Sequence, residues 1–191
     1  MGRMFLIPSP KKLESTESTL QLRRDTEIIL DYQCDFDDLY AATLLQEEIE
    51  QQLGFKLLIN KSFDCESDKI VIRLKRAAGK KEAYRLTIGQ DFIEICAATS
   101  IGIFYGIQTL RQIIRQNGAL LPNLKIEDEP YFNNRGFYHD VTRGKVPTLE
   151  TLKQLVDRAA FYKINQLQLY VEHTFAFKGM SEVWMGKVLQ P

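Results

Sequence analysis

The feature that most constrains the fold is a strand–helix–strand pattern in the last third of the chain. Residues 136–141 have the sequence GFYHDV and residues 164–171 have the sequence INQLQLYV, each typical of a short strand. Between them, residues 149–163 carry apolar side chains at helical spacing, and Pro147 and Thr148 mark the start of that helix. The pattern predicts a βαβ unit with two parallel strands.

The first 126 residues follow a different pattern, in which strands and two helices alternate less regularly. A sheet that carries both helices is the simplest way to bury their apolar stripes, which predicts an α+β layer domain. The helices are predicted at residues 36–54 and 99–118; the strands at 20–30, 55–59 and 69–75, in a hairpin over 83–98, and in one short strand before residue 127.

Local signals support both helices. Asp35 or Asp37 can cap the first helix, and Gly54 stands where a helix end favours a positive φ. Gly102 and Gly106 lie four residues apart on one face of the second helix, although glycine inside a helix costs about 1 kcal/mol relative to alanine. Two glycines at this spacing predict a close approach between the helix backbone and the sheet.

The polar, proline-containing segment at residues 127–134 separates the two patterns. It predicts two domains: an α+β domain over residues 1–130 and a second domain that begins within residues 131–191.

Composition excludes several functional classes. Lys plus Arg and Asp plus Glu both number 25, so bulk charge favours neither a nucleic acid nor an anionic membrane as a partner. No run approaches the roughly 18 apolar residues of a membrane span, and no signal peptide is evident, so the expected location is the cytoplasm; a secreted or periplasmic parent stays open. With three scattered cysteines and two histidines, we expect no metal site and no cofactor.

Four segments, in chain order, resemble glycoside hydrolase family 20, the β-N-acetylhexosaminidases. Residues 135–143, RGFYHDVTR, match the first barrel strand and loop of that family: Arg-Gly, three mostly apolar residues, Asp, two residues, Arg. Residues 163–177 resemble the second strand, residues 102–114 the last helix of the preceding α/β domain, and residues 7–13 the opening of that domain. The resemblance implies an N-terminal α/β domain followed by an incomplete (β/α)8 TIM barrel.

The resemblance also implies an activity. The family releases terminal N-acetyl-β-D-hexosamine residues from glycans with retention, and the acetamido oxygen of the substrate acts as the nucleophile beside an Asp-Glu pair. That pair ends the fourth barrel strand, and a whole barrel takes about 250 residues, whereas 57 residues follow position 134 here. We assign no catalytic role to Asp37-Asp38 or Glu47-Glu48 in the first predicted helix, and expect the chain as given to be inactive.

The candidate substrate-binding residues are Arg135, Asp140, Glu172 and His173. The resemblance gives Arg135 the role of binding sugar hydroxyls, which suits the rigid fork of a guanidinium. Asp140 stands at the end of a predicted strand and can either contact the sugar or form a bracing pair with Arg143. Glu172 and His173 follow the next strand, at the end where barrels collect ligand-binding groups. His139 is expected to be packed and hydrogen-bonded.

Three interpretations stay open. The chain is either a piece of a hexosaminidase or a non-enzymatic module that binds carbohydrate or associates with itself through the incomplete barrel, because unpaired strand edges favour association. A third possibility is a complete small α+β protein whose resemblance is ancestral only.

Overall fold

A computed structural model describes residues 4–62, 69–171 and 178–179. The chain divides into two units, Met1–Tyr131 and Phe132–Pro191. The described residues form a mixed α/β structure with three helices. No helix among them is long and apolar enough to cross a membrane.

The first unit contains a seven-stranded sheet and two helices. Along the sheet the strands follow the order β1-β7-β5-β6-β4-β2-β3. Strand β2 runs parallel to β3 and β4, and β4 runs parallel to β6, whereas β5 and β7 pair with their neighbours antiparallel. The elements are β1 (Lys12–Gln21), β2 (Glu27–Asp31), α1 (Phe36–Leu53), β3 (Leu58–Ser62), β4 (Val71–Arg76), β5 (Tyr84–Ile88), β6 (Phe92–Ala97), α2 (Ser100–Asn117) and β7 (Leu120–Asp128).

The core of this unit lies between the sheet and the two helices. Alternate residues of the strands point toward the helices, as the two-residue period of a strand requires. Each such side chain that is fully buried stabilises the fold by about 1.5–3 kcal/mol. The buried cluster includes Leu20, Ile28, Leu45, Ile49, Ile72, Leu74, Leu86, Ile93, Ile95, Ile103, Ile107, Leu110, Ile114, Leu121 and Ile126.

The predicted close approach of α2 to the sheet is confirmed. A Cβ atom on Gly102 would lie 2.5 Å from the backbone oxygen of Ala83, and one on Gly106 would lie 2.5 Å from Cγ2 of Ile95. Glycine at both positions lets α2 pack directly on β5 and β6.

The helix ends also agree with the sequence. The side chain of Asp35 accepts hydrogen bonds from the backbone N–H groups of Asp37 and Asp38. The side chain of Asp38 in turn accepts a hydrogen bond from the Asp35 N–H, which completes a capping box. Gly54 ends α1 with a φ of 74°, and Thr99 caps α2. Of the two proposed caps for α1, the structure selects Asp35.

The proline-containing opening of the chain forms an extended arm bound to α2. Gln112 of α2 accepts a hydrogen bond from the Ile7 N–H at 2.9 Å and donates one to the Ile7 carbonyl at 2.8 Å. Gln116, one turn later, makes the same pair of bonds with the backbone of Phe5. The amides of Gln112 and Gln116 therefore bond the backbone of the arm in the way that a neighbouring strand would.

Three strand predictions need correction. The single strand predicted over residues 20–30 is the end of β1 and the whole of β2, separated by a turn closed by a hydrogen bond from the Thr26 N–H to the Arg23 carbonyl. Most of β1 was not predicted, because its residues are polar and exposed, as suits a strand at the sheet edge. Strand β7 is nine residues long and lies inside the sheet, with Pro122 beside an irregularity in its pairing with β1.

The second unit contains the predicted strand–helix–strand arrangement. Strands β8 (Gly136–Asp140) and β9 (Gln166–Tyr170) pair in parallel, and α3 (Leu149–Phe161) connects them, with Thr148 as its N-cap. Of the residues described in this unit, only Lys163 is buried. The relation of this βαβ unit to an incomplete barrel stays a prediction.

Candidate functional site

The first candidate site lies where β8 ends. Asp140 is the last residue of the strand, and its Oδ1 accepts hydrogen bonds from the backbone N–H groups of Thr142 at 2.9 Å and Arg143 at 3.1 Å. An aspartate that bonds the backbone two residues ahead forms an Asx turn. The turn fixes the direction of the chain as it leaves the strand.

Arg143 is held over the same strand end. Its Nε donates to Oδ2 of Asp140 at 2.8 Å, and its guanidinium carbon lies 5.2 Å from the centre of the Tyr170 ring. Tyr170 is the register partner of Asp140, so the carboxylate, the guanidinium and the phenol all belong to the carboxyl ends of two parallel strands. The Arg143 side chain is 68% exposed.

The Asp140 carboxyl is held in its charged form. Its pKa is lowered, first by the hydrogen bond from the Thr142 N–H and then by the bonds from the Arg143 backbone and side chain, against a smaller opposing effect of burial. A carboxylate bound in this way orients neighbouring donors and does not supply a proton. The pairing of Asp140 with Arg143, one of the two roles proposed from the sequence, is present.

Arg135 lies at the opposite end of β8, before Gly136. Its Nε donates to the Lys163 carbonyl at 2.8 Å, and one terminal nitrogen donates to the Phe132 carbonyl at 2.6 Å. These bonds tie the segment before β8 to the segment before β9. The geometry supports a bracing role, and sugar binding by Arg135 stays a prediction.

The remaining sequence candidates are not brought into this cluster by the described structure. Glu172 and His173 lie outside the described residues. His139 stacks against Phe137, with ring centroids 5.9 Å apart, which agrees with the packed role expected for it. Tyr170 was missed by the sequence analysis, although its place at the end of the second strand was the available signal.

The acidic pairs of α1 have structural partners. Oδ2 of the fully buried Asp38 accepts a hydrogen bond from Arg76 at 2.7 Å. Glu48, 1% exposed, accepts bonds from Arg111 at 3.0 Å and from Arg115 at 2.7 and 2.8 Å. Burial raises the Glu48 pKa, but the bonds from the two arginines outweigh that effect and lower it. Glu48 therefore links α1 to α2 as a charged group.

A third acidic pair, Asp128-Glu129, was missed by the sequence analysis. It borders a cavity of about 370 Å³ at the end of β7, whose wall includes the small residues Ala77–Gly79. Asp128 accepts a hydrogen bond from the Tyr84 hydroxyl at 2.9 Å, and Glu129 lies 2.8 Å from both Lys11 and Lys80. These groups satisfy each other, so the pair joins β1, β5 and β7 rather than presenting a free acid.

The described cysteines are not nucleophiles. Burial raises the pKa of the Cys34 thiol to about 12 and that of the Cys96 thiol to about 11. Within residues 4–62, 69–171 and 178–179, no group of three or more His, Cys, Asp or Glu side chains could hold a metal ion.

Comparison with known proteins identifies the family. A family model described as "Glycosyl hydrolase family 20, domain 2" matches residues 3–129. The chain belongs to glycosyl hydrolase family 20. The match covers the α+β unit, with its seven strands, α1 and α2.

Relatives of this family resemble a longer part of the chain. A β-hexosaminidase of Vibrio furnissii is 30% identical over 164 residues, which cover 85% of this chain and 25% of the relative. A β-hexosaminidase of Porphyromonas gingivalis is 27% identical over 183 residues, which cover 91% of this chain and 23% of the relative. The chain therefore spans about a quarter of the length of these family 20 relatives.

A solved structure of a family 20 member shares the fold. The β-N-acetylhexosaminidase of Streptomyces coelicolor A3(2) superposes with a TM-score of 0.75 at 28% identity, covering 87% of this chain and 34% of that one.

Proposed function

We propose that this chain is the part of a β-N-acetylhexosaminidase that carries the α+β domain and the first strand, helix and strand of the catalytic domain. The protein to which it contributes would release terminal N-acetyl-β-D-hexosamine residues from glycans. Family membership and the names of the relatives support this assignment. The retaining, substrate-assisted course of the reaction is part of the proposal and rests on the family resemblance.

The observation that carries the proposal is the cluster of Asp140, Arg143 and Tyr170 at the carboxyl ends of β8 and β9. Binding sites of α/β barrels lie at this end of the strands. A guanidinium presents donors in a rigid fork that suits two neighbouring sugar hydroxyls. Asp140 fixes the position of that guanidinium, and the Tyr170 ring centre lies 5.2 Å from its central carbon. We propose that Arg143 makes the sugar contact and that Asp140 positions it.

We further propose that the 191-residue chain does not hydrolyse glycosides by itself. Glycosidases need a carboxylic acid that protonates the leaving oxygen, with a pKa raised for that task. Asp140 has a lowered pKa, Glu48 is bound by two arginines, and Glu129 is bound by two lysines. None of these carboxyls suits a general acid, and Asp38, whose pKa is raised by burial, is fully buried beside Arg76.

The test of the sugar contact uses the whole ¹⁵N-labelled chain and N-acetylglucosamine, followed by amide chemical shifts. We expect shifts at Asp140, Arg143 and Tyr170 that Arg143→Ala abolishes. The matched comparison is Arg135→Ala, the same substitution at the other end of β8, which tests the sugar contact that the family resemblance predicts for Arg135. Shifts that disappear in Arg135→Ala but survive in Arg143→Ala would reverse the assignment of the two arginines.

Hydrolysis of 4-nitrophenyl N-acetyl-β-D-glucosaminide tests the proposed inactivity. The purified chain should release 4-nitrophenol no faster than buffer does. Turnover that Asp140→Asn or Glu129→Gln abolishes would show that a carboxyl assigned a structural role here acts as the acid.

A second candidate function is self-association of the second unit. Its apolar side chains are exposed: Leu149 is 71%, Tyr138 56% and Val156 49% exposed. A strand pair with exposed faces can add a second copy at its edge. Light scattering should then report a dimer or larger species at micromolar concentration, and Val156→Lys should return it to a monomer, whereas a monomeric parent chain would eliminate this candidate.

A further inference from the structure

A second cavity opens on the face of the first unit's sheet that the helices do not cover. It has a volume of about 540 Å³ and lies between the β1–β7 pair and the turn from β5 to β6. Binding pockets for small molecules occupy about 300–1,000 Å³, so the space suits a ligand of one or two rings. The cavity of Asp128 and Glu129 lies at the other end of β5, so the two are separate.

An irregularity in β1 creates the cavity. Ser15 is the register partner of Leu124, and Thr19 is the partner of Pro122. The intervening residues 16–18 of β1 therefore face a single residue of β7, Asn123. Such bulges bend a strand away from its neighbour and occur often beside binding sites.

Asn123 lines the cavity and has an unmet hydrogen-bonding group. It is 7% exposed, and its Oδ1 accepts no hydrogen bond within the described structure. Buried side-chain oxygens almost always have a donor, because losing contact with water without a replacement is unfavourable. Oδ1 itself has less than 1 Å² of accessible surface, so an N–H or O–H group of a ligand in the cavity would supply that donor once the Asn123 amide turns toward it.

An aromatic ring forms another part of the wall. The Phe92 ring lies across Gly89, where an added Cβ would come within 2.6 Å of the ring. The absence of a side chain on Gly89 therefore lets the ring lie against the backbone. Both residues line the cavity, as Asn123 does.

The residues that line the cavity carry no net charge. Glu14 and Lys125 are its charged residues, and they are cross-strand register partners. The other polar lining groups are hydroxyls and amides, among them Thr16, Ser18 and Gln90. This chemistry favours neither an anion nor a cation, and suits a neutral ligand with many hydroxyl groups.

We propose that this cavity binds a saccharide, at a site separate from the cluster at the ends of β8 and β9. The apolar face of a pyranose ring would lie on Phe92, and a hydroxyl or acetamido N–H of the sugar would donate to Oδ1 of Asn123. The hydroxyls of the β1 bulge and the Gln90 amide would contact the remaining hydroxyl groups. The lining of the cavity supports a sugar independently of the proposed function. The choice of an N-acetylated sugar as the first probe rests on the proposed function.

The experiment is a titration of the whole ¹⁵N-labelled chain with tetra-N-acetylchitotetraose and, in parallel, with cellotetraose. We expect saturable shifts of the Thr16, Ser18, Gln90 and Asn123 amides with at least the first sugar. Asn123→Leu should weaken this binding by about 2- to 10-fold, the value of one lost neutral hydrogen bond. The same substitution should leave the melting temperature equal or higher, because it removes an unmet acceptor.

Phe92→Leu keeps the bulk of the side chain but removes the ring, and should weaken binding by a similar factor. Arg85→Ala is the matched control. Arg85 lines the other cavity, so its substitution should leave the affinity for the sugar unchanged. Absence of shifts at these residues with both sugars would overturn the proposal, as would affinity unaffected by Asn123→Leu. Shifts at Asp140, Arg143 and Tyr170 in the same spectra report separately on the proposed function, so the two can fail independently.

Discussion

The two units of the chain differ in what their amphipathic helices bury. Eleven of the 18 residues of α2 are buried, whereas none of the 13 residues of α3 is. Both sequences carry a clear apolar stripe, yet Leu110 of α2 is 0% exposed and Leu149 of α3 is 71% exposed. An apolar stripe therefore identifies the face that a helix can bury, but not whether the surrounding residues provide something to cover it.

The difference has a consequence for stability. Isolated helices shorter than about 12–15 residues are marginal in water, and most helices in proteins are stabilised by packing of their apolar face. The helices of the first unit have that packing, and α3 has little of it among the described residues. We therefore expect the first unit to unfold cooperatively and the second to open at a much smaller free-energy cost.

The largest predicted contrast comes from the same substitution in two helices. Leu110→Ala in α2 should lower the free energy of unfolding by about 3–5 kcal/mol, because it leaves a cavity in a closed core. Leu152→Ala in α3 should change the free energy of unfolding of the first unit by less than about 0.5 kcal/mol. Urea unfolding followed by circular dichroism measures both. Equal losses would mean that the two helices share one cooperative core.

A smaller contrast is expected for two arginine–carboxylate pairs. Glu48→Ala leaves Arg111 and Arg115 without their buried partner and should cost about 2–4 kcal/mol, somewhat less than a fully buried pair because Arg115 is half exposed. Asp140→Ala removes an exposed pair and should leave the thermal midpoint of the first unit unchanged. Differential scanning calorimetry distinguishes them, and a loss with Asp140→Ala as large as that with Glu48→Ala would contradict the contrast.

Two glycines provide a third contrast. Gly102→Ala brings a methyl group against the Ala83 backbone oxygen, which cannot move aside as a flexible side chain can, and should cost about 1–3 kcal/mol despite the better helix propensity of alanine. Gly136→Ala in β8 meets its nearest atom only at 3.6 Å and should change stability by less than about 0.5 kcal/mol. A stabilising Gly102→Ala, measured by urea unfolding, would disprove the close approach.

The smallest predicted effect is a change in acid stability. Hydrogen bonds from Lys11 and Lys80 lower the Glu129 pKa to about 2, from an ordinary value of 4.5. The folded state holds this carboxyl charged. Its contribution to the free energy of unfolding is therefore complete above pH 4.5 and is lost as the pH falls from 4.5 toward 2. Glu129→Gln should flatten that part of the curve of unfolding free energy against pH.

Asp140→Asn is the control for this pH effect. The Asp140 pKa is also lowered, but the residue lies in the second unit, so the acid unfolding of the first unit should not change. If both substitutions flattened the curve of unfolding free energy between pH 4.5 and 2 equally, the two carboxyls would belong to one unfolding transition.

The sequence predicted the elements that have a strong period. The stripes and caps of α1 and α2, the hairpin of β5 and β6, and the βαβ unit are all present in the structure. Strand β1 was missed because LESTEST has no apolar alternation: this strand lies at an edge and its residues 12–19 are exposed. Its place in the sheet depends on pairing with β7, more than 100 residues later, which local sequence does not encode.

The candidate site was predicted less completely. Asp140 and Arg143 could be assigned to one strand end because the motif places them three residues apart in a loop. Tyr170 belongs to the site only because β9 pairs with β8 in a register that aligns it with Asp140. The Arg135 guanidinium donates to the backbone carbonyls of Phe132 and Lys163, and backbone carbonyls carry no sequence signal. The unmet Oδ1 of Asn123 likewise depends on the bulge of β1.

Native-state hydrogen exchange of the whole chain tests the contrast between the two units most directly. The amides of α2 and β6 should exchange only by global unfolding, at least about a thousandfold more slowly than those of α3. That result would support a first unit that holds its own core and a second unit whose helix lacks one. Equal protection of α2 and α3 would contradict the account, because it would require a buried face for α3 that the described structure does not provide.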